Sequence, residues 1–251
     1  VNYSKIVEMG AANSGRTING IGYGKDNVRV DASEVDLITL WKEFEIPKAD
    51  FDTFTKNGVN LSTVAAQSAA QVIGELEDDI LLQGWIPDGS SYFEKGLYQI
   101  AGNSYTTAKH FDTYGNAIAA VSGALALLRE DNINGVNFNF TINPAQYTLL
   151  ESSLSNYGLR EWDQVLSILN GIPGAEKGEI YWSNDITAGT GLISPVDTAG
   201  KYMDLVIGAN YITDVYAANN SQFSPIAGIV VASLYPRVAY PNAICTLTDL
   251  A

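Results

Sequence analysis

Across residues 61–85, LSTVAAQSAAQVIGELEDDILLQGW, the apolar side chains Leu61, Val64, Ala65, Ala69, Val72, Ile73, Leu76 and Ile80 recur at steps of three and four. That spacing predicts one stripe on a long helix. At about 1.5 Å per residue the helix runs on the order of 35 Å, enough to cross a whole domain. Asn57-Gly58 is turn chemistry just upstream, and Asn60 or Ser62 can cap the first turn. Gly84 and Pro87 supply the stop. The acidic residues Glu75, Glu77, Asp78 and Asp79 crowd the C-terminal end, where the helix dipole disfavours negative charge. They form either a solvated face or a surface that meets cations on a neighbouring subunit.

The remaining pattern is mixed. Residues 3–17 predict a short helix carrying Ile6, Val7 and Met9 and ending at Gly15-Arg16. Residues 28–31 alternate as a strand. In residues 35–51 the apolar Ile38, Leu40, Phe44 and Ile46 alternate with Thr39, Trp41, Glu43 and Glu45, a long half-buried strand that ends at Pro47. The two strands predict an extended β arm, and a lone hairpin of that kind is marginal in water. Such an arm leans on something else, partner subunits being the natural candidate. Residues 87–107 read as a loop. Residues 112–130 predict a second helix, with Ile118, Val121, Leu125 and Leu128 in line, closed by Asn134-Gly135. A buried strand follows at 136–142. Asn143-Pro144 then places a capping residue and a first-turn proline before a third helix at 145–157, and a fourth helix covers 161–169. Strands are predicted at 179–182, 191–194, 203–207, 211–216, 226–235 and 243–248. The fold class is α+β, without the strand–helix alternation of a doubly wound sheet.

Composition narrows the class of partner. Of 251 residues, 46% are hydrophobic and only 17% charged, a balance that suits either a subunit with covered sides or a surface rich in Asn, Ser and Thr. The net charge of −14, from 14 basic and 28 acidic residues, comes with no Lys/Arg run, so there is no footprint for nucleic acid or an anionic membrane. The apolar runs 121–128 and 229–234 are too short to span a bilayer. One cysteine, Cys245, among Ala243, Ile244 and Leu247, predicts a buried thiol. With no secretory signal pattern in the opening residues, a cytosolic location is expected.

Constellations for catalysis are thin. His110 is the one histidine, so a Ser-His-Asp triad has to use it, with Asp112 or another carboxylate as orienter. Gly102-Asn103-Ser104-Tyr105-Thr106 lacks the final glycine of a nucleophile elbow. Gly20, Gly22 and Gly24 form GIGYG, but a strand pattern follows in place of the helix that would hold a phosphate. Zinc requires several Cys and His ligands, and one of each will not serve. Glu75 and Asp79 share a helix face without the accompanying carboxylate-histidine motif of a di-iron site. No catalytic residue, cofactor or metal is expected, and an enzyme using His110 or a flavin is the minor alternative.

The order of pieces carries more. A segment ending Gly15-Arg16-Thr17-Ile18 leads to the arm and the acid-ended helix. The helix 116–129 runs into Asn134-Gly135-Val136-Asn137-Phe138 and Thr141-Ile142-Asn143-Pro144. Near the end come Ile207-Gly208-Ala209-Asn210-Tyr211-Ile212 and Ala239-Tyr240-Pro241-Asn242-Ala243-Ile244. Over nearly the whole chain this order resembles the encapsulins, shell proteins of prokaryotic nanocompartments that share the tailed-phage major capsid (Hong Kong 97-like) fold. Two motifs depart from the family pattern: its terminal Asn-Pro-Glu-Ala survives only as Pro241-Asn242-Ala243, and its Gln-Asp turn as Ala209-Asn210. The arm is also shorter than usual, so contacts between subunits there are expected to differ.

The resemblance implies an N-terminal helix or arm at 1–23, an extended β arm (E-loop) at 24–46 and a peripheral domain with the spine helix at 47–116. An axial domain at 117–225 and return strands at 226–251 complete it. It implies a homo-oligomeric icosahedral shell of about 60 or more copies, cytoplasmic, enclosing a cargo enzyme such as a ferritin-like protein or a peroxidase. By the same analogy Trp182, Ser183, Asn184, Asp185, Ile186 and Thr187 would line a pore, where a ring of Asp185 favours cations. An ordinary hairpin tip explains each of them equally well. A docked cargo peptide would lie against Arg16, Ile18 and Ile21, with Ile212, Pro241 and Asn242 across from them. The alternative is the major capsid protein of a tailed virus or provirus, the one case in which nucleic acid is a partner.

Overall fold

The computed structural model describes residues 2–6, 30–34, 37–58, 60–86, 94–217 and 224–250. In chain order the elements are β1 (Asn2–Ile6), β2 (Val30–Glu34), β3 (Ile38–Ile46), α1 (Lys48–Lys56), α2 (Leu61–Gln83), β4 (Gly84–Trp85), β5 (Glu94–Lys95), α3 (Leu97–Ile100) and β6 (Asn103–Thr106). They continue with α4 (Asn116–Glu130), β7 (Phe138–Ile142), α5 (Pro144–Ser152), α6 (Glu161–Leu169), β8 (Ile180–Trp182), β9 (Thr190–Pro195), β10 (Met203–Ala217), β11 (Ile226–Val238) and β12 (Cys245–Thr248).

The chain divides into two units, residues 1–38 and 39–251. In the first, β1 and β2 pair antiparallel, Asn2 opposite Glu34 and Ile6 opposite Val30. This corrects the helix expected from residue 3. That reading rests on Ile6, Val7 and Met9; in residues 2–6 pairing with residues 30–34 satisfies the backbone groups instead. Residues 7–17 of the expected helix and the glycines of GIGYG lie outside the described residues.

The expected arm is corrected too. β2 pairs with β1, while β3 joins the sheet β10-β11-β3. Alternation marks a strand but not its partner, and here a glycine decides. A Cβ on Gly228 of β11 would stand 2.3 Å from the Phe44 ring, so only glycine lets β3 lay that ring against the neighbouring strand. Ile38, Leu40 and Ile46 are buried as the alternation predicts. Beyond Pro47, the expected end of the strand, the chain turns into α1. Lys48 reaches Asp52 at 2.9 Å on its exposed face.

α2 starts on Asn60, whose side chain accepts the Thr63 N–H at 3.4 Å, and stops at Gly84, at φ 84°. Its stripe divides. Ala69, Ile73 and Ile80 are buried, but Val64 is 51% and Leu76 44% exposed, with Val72 alongside them.

A five-stranded sheet of order β6-β12-β9-β7-β8 forms the second layer, with α4 and α6 around its core. Phe111, Leu125, Phe138, Phe140, Leu150, Val165, Leu169, Cys245 and Leu247 fill that core. The fully buried carboxylate of Glu161 is spent on structure. Oε1 accepts the N–H groups of Gly115 (2.9 Å) and Ile118 (3.2 Å) at the start of α4, and Oε2 accepts the Ser153 hydroxyl at 2.7 Å. These sheets cut across the expected boundaries. β12 lies between β6 and β9, so residues 245–248 belong with 117–195, while β10, inside 117–225, pairs along its length with β11. Sheet partnership follows hydrogen bonding rather than chain order.

Candidate functional site

The acidic end of α2 meets the turn that follows β8. Ser183 N–H donates to Ile142 O at 3.0 Å, continuing the β7–β8 ladder past Trp182. The Ser183 hydroxyl donates to Asp185 Oδ2 at 3.0 Å and accepts the Asp185 N–H at 3.1 Å. From α2, the Gln83 amide donates to the Asp185 carbonyl, and the Asn143 amide donates to Ile186 O at 2.7 Å. The turn is thereby tied down on both sides. A cleft of about 710 Å³ opens between helix and turn, walled by Leu81, Leu97 and Trp182 and bearing the carboxylates of Glu75, Asp78 and Asp185.

Burial beside a like charge disfavours the ionised form of a carboxylate. Asp78 and Asp79 both titrate above the ordinary 3.8, first because burial removes solvent and second because the Asp185 charge repels theirs. Tyr181 on the opposite wall is raised above 10 by burial, then by its hydrogen bond to Glu179 and the charge of that carboxylate. Among the described residues no group of three or more His, Cys, Asp and Glu stands where it would hold a metal ion.

Of the six residues expected to line a pore, Trp182, Asn184 and Thr187 are exposed, and Ser183 and Asp185 half-buried. Ile186 corrects the reading: its side chain is wholly buried with Leu192 and Ile244 and lines nothing open to solvent. The apolar residue pins the turn, and the polar ones face out. Of the expected peptide groove, Arg16, Ile18 and Ile21 lie outside the described residues. Ile212 sits at a bulge in β10, opposite Val231. Pro241 and Asn242 open a 3-10 turn that closes on Gly102 and Asn103, through Gly102 N–H to Pro241 O and the Asn103 amide to Asn242 O, both at 2.8 Å. Val238, the end of β11 nearest that turn, lies roughly 23 Å from Val231 at about 3.3 Å per residue. The structure thus does not bring Ile212 together with Pro241 and Asn242.

His110 is an exposed turn residue whose carbonyl accepts the Asn116 amide at 2.8 Å. Cys245 is buried, and desolvation pushes its thiol up to about 12 against a smaller opposing hydrogen bond from the Tyr105 backbone, which leaves it unreactive at neutral pH. Two surfaces escaped the sequence reading. One is β10, a single 15-residue strand at the edge of its sheet, where two strands were expected; Ala209 and Ile212 flank the bulge that interrupts its pattern. The other is a hairpin between Leu154 and Arg160, read as the end of a helix, although α5 stops at Ser152. Ser155-Asn156-Tyr157-Gly158 was the available turn signal.

Comparison with known proteins assigns the chain. The family described as encapsulating protein for peroxidase matches residues 6–222. This chain belongs to that family, the encapsulins. A diheme-cytochrome-encapsulin shell fusion protein of Kuenenia stuttgartiensis is 26% identical over 92% of the chain, and the type 1 encapsulin shell protein EncA of Myxococcus xanthus is 24% identical over 88%. The chain spans 59% of the length of the first and 71% of the second. Solved structures give the same fold. A virus-like particle from Pyrococcus furiosus superposes with TM-score 0.67 at 17% identity, over 98% of this chain and 85% of its own. The capsid of Myoviridae phage XM1 superposes with TM-score 0.71 at 14% identity, over 100% and 85%. The Hong Kong 97-type capsid fold expected of an encapsulin is therefore the fold of this chain.

Proposed function

We propose that this chain is the structural subunit of a closed icosahedral shell around an enzyme cargo, and that it performs no catalysis itself. One observation carries the reading: the long edge strand β10 leaves Leu205, Ile207 and Ile212 exposed, Ile207 by 57%, on a strand whose outer edge pairs with no other strand among the described residues. An exposed apolar edge of that length is an aggregation hazard in a monomer and an asset in a tile covered by its neighbours. The uncovered Val64, Val72 and Leu76 of α2 belong to the same economy of surface. Many modest repeated contacts then close the shell, its geometry set by symmetry.

In this reading the sheet of β3, β10 and β11 with α2 serves as the peripheral domain and the five-stranded sheet as the axial one. Trp182, Asn184, Asp185 and Thr187 face an opening whose acidic rim, shared with Asp78, favours cations over anions. The cargo is a peroxidase, after the family's description, held by a peptide against Ile212 or against the Pro241–Asn242 turn together with Arg16, Ile18 and Ile21. The compartment is cytoplasmic. The capsid neighbours favour a second reading on fold alone, a viral shell around DNA.

Purified particles separate the two. Nuclease-treated shells that carry a co-purifying enzyme and no protected nucleic acid support the nanocompartment. Shells that protect long double-stranded DNA and carry no enzyme contradict it.

A further inference from the structure

Asn-Gly pairs stand in the sequence at Asn19, Asn57, Asn134 and Asn170, and the first lies outside the described residues. The others sit in near-identical company, Lys-Asn-Gly-Val, Ile-Asn-Gly-Val and Leu-Asn-Gly-Ile. Such a pair has a chemistry of its own. With no Cβ in the way, the glycine nitrogen can reach the side-chain amide carbon of the asparagine before it. Local sequence barely separates the three, so the fold decides which of them reacts.

At Asn57 the fold prevents it. Asn57 closes α1 at φ −89° and ψ 7°, which turns the Gly58 nitrogen away from the side chain, and Gly58 N–H donates to Thr55 O at 3.0 Å. Asn170 is held harder. Its amide donates to Leu166 O and Gly178 O, both at 2.9 Å, and its Oδ1 accepts the Gly178 N–H at 2.7 Å. Turning this half-buried side chain toward Gly171 would break all of these bonds, each of which slows the reaction severalfold if it must open first.

Asn134 carries no such restraint. It and Gly135 are exposed in the link between α4 and β7. Among the described residues neither the Asn134 side chain nor the Gly135 N–H makes a hydrogen bond. Gly135 takes φ 84°, and a Cβ built there meets nothing within 4 Å. Both ends of the link are anchored. Buried Ile133 donates its N–H to Leu128 O at 3.0 Å, and the buried Asn137 amide donates to Glu176 O at 2.7 Å. A change in the link therefore leaves the core in place.

We propose that Asn134-Gly135 is a site of spontaneous self-modification. The Gly135 nitrogen attacks Asn134 Cγ and the new N–Cγ bond closes a succinimide. The Cγ–Nδ2 bond breaks, and the amide leaves as ammonia with the proton from Gly135. Water then opens the ring at either carbonyl, which yields aspartate or isoaspartate. Each copy of the chain thus gains a negative charge as it ages, just after exposed Glu130 and Asp131 on a chain already at −14.

Ageing the purified protein in mildly alkaline buffer tests the proposal, read by peptide mapping with mass spectrometry and by an isoaspartate-specific methylation assay. Amide-to-acid conversion should build up at Asn134 severalfold faster than at Asn57 or Asn170, with isoaspartate in the same peptide. Asn134→Gln, whose longer side chain closes a ring far more slowly, should remove that signal and leave the other two sites as they were. In concentrated guanidinium chloride the three rates should converge, since the fold alone separates them. An Asn134 that stays an amide, or that reacts no faster than Asn57, overturns the proposal. So does a preference for Asn134 that persists in the denaturant.

Discussion

The Tyr211 hydroxyl donates a hydrogen bond to Glu77 Oε2 at 2.5 Å, joining the bulge of β10 to the acidic end of α2. Tyr211 sits at φ 34°, rare for a residue with a Cβ, and Gly74 leaves its hydroxyl room against the helix. Burial, then the bond to Glu77 and the charges of Glu77 and Asp78, push the phenol up to about 12. Because the folded value exceeds the unfolded one of about 10, the stability from this link is complete below about pH 10 and is lost as pH rises through about 12. Tyr211→Phe should cost about 1 kcal/mol at neutral pH. It should also remove a component near pH 12 from the ultraviolet phenolate curve. A thermal melt and an absorbance titration check both.

The cleft carboxylates run the same way with pH, in a lower range. Raised values for Asp78 and Asp79 mean that folding prefers their neutral forms, so their contribution weakens as pH rises from 3.8 through those raised values. Asp185→Asn removes the repulsion, keeps the turn's bonds to Ser183, and should raise the denaturant midpoint at pH 7. The gain should shrink as pH falls toward 3.8, in paired urea titrations of the two proteins.

Glu161 ties three elements through one buried side chain. Glu161→Ala leaves the N–H groups of Gly115 and Ile118 and the Ser153 hydroxyl without their acceptor, a loss of about 3 kcal/mol or more. Glu161→Gln keeps one acceptor and should lose less. Amide exchange in the first turn of α4 should quicken in the order wild type, Gln, Ala.

Close packing at β3 gives a steric test. Gly228→Ala drives a methyl into the Phe44 ring and should cost about 1–3 kcal/mol. Adding Phe44→Leu should recover part of it, read from the same unfolding curves.

Local signals in the sequence carried far. The stripe and caps of α2, the Asn143-Pro144 start of α5 and the extent of α6 were all legible, because each depends on residues within a few positions. What was not legible depends on distant partners. β3 chose β11 through Gly228, and β12 joined the sheet of β6 and β9 across more than half the chain. The acidic end of α2 and the turn at Asp185 were each singled out, yet nothing in their spacing says that Gln83 ties them together. The buried Ile186 shows the limit most sharply: a turn of mostly polar residues reads as open to water until the core it anchors is seen.

The central claim, that this chain is one tile of a closed shell, is tested most directly by electron microscopy of the purified protein at high concentration. The account predicts uniform hollow particles of many copies. A dispersed 27.0 kDa monomer with β10 uncovered would contradict it.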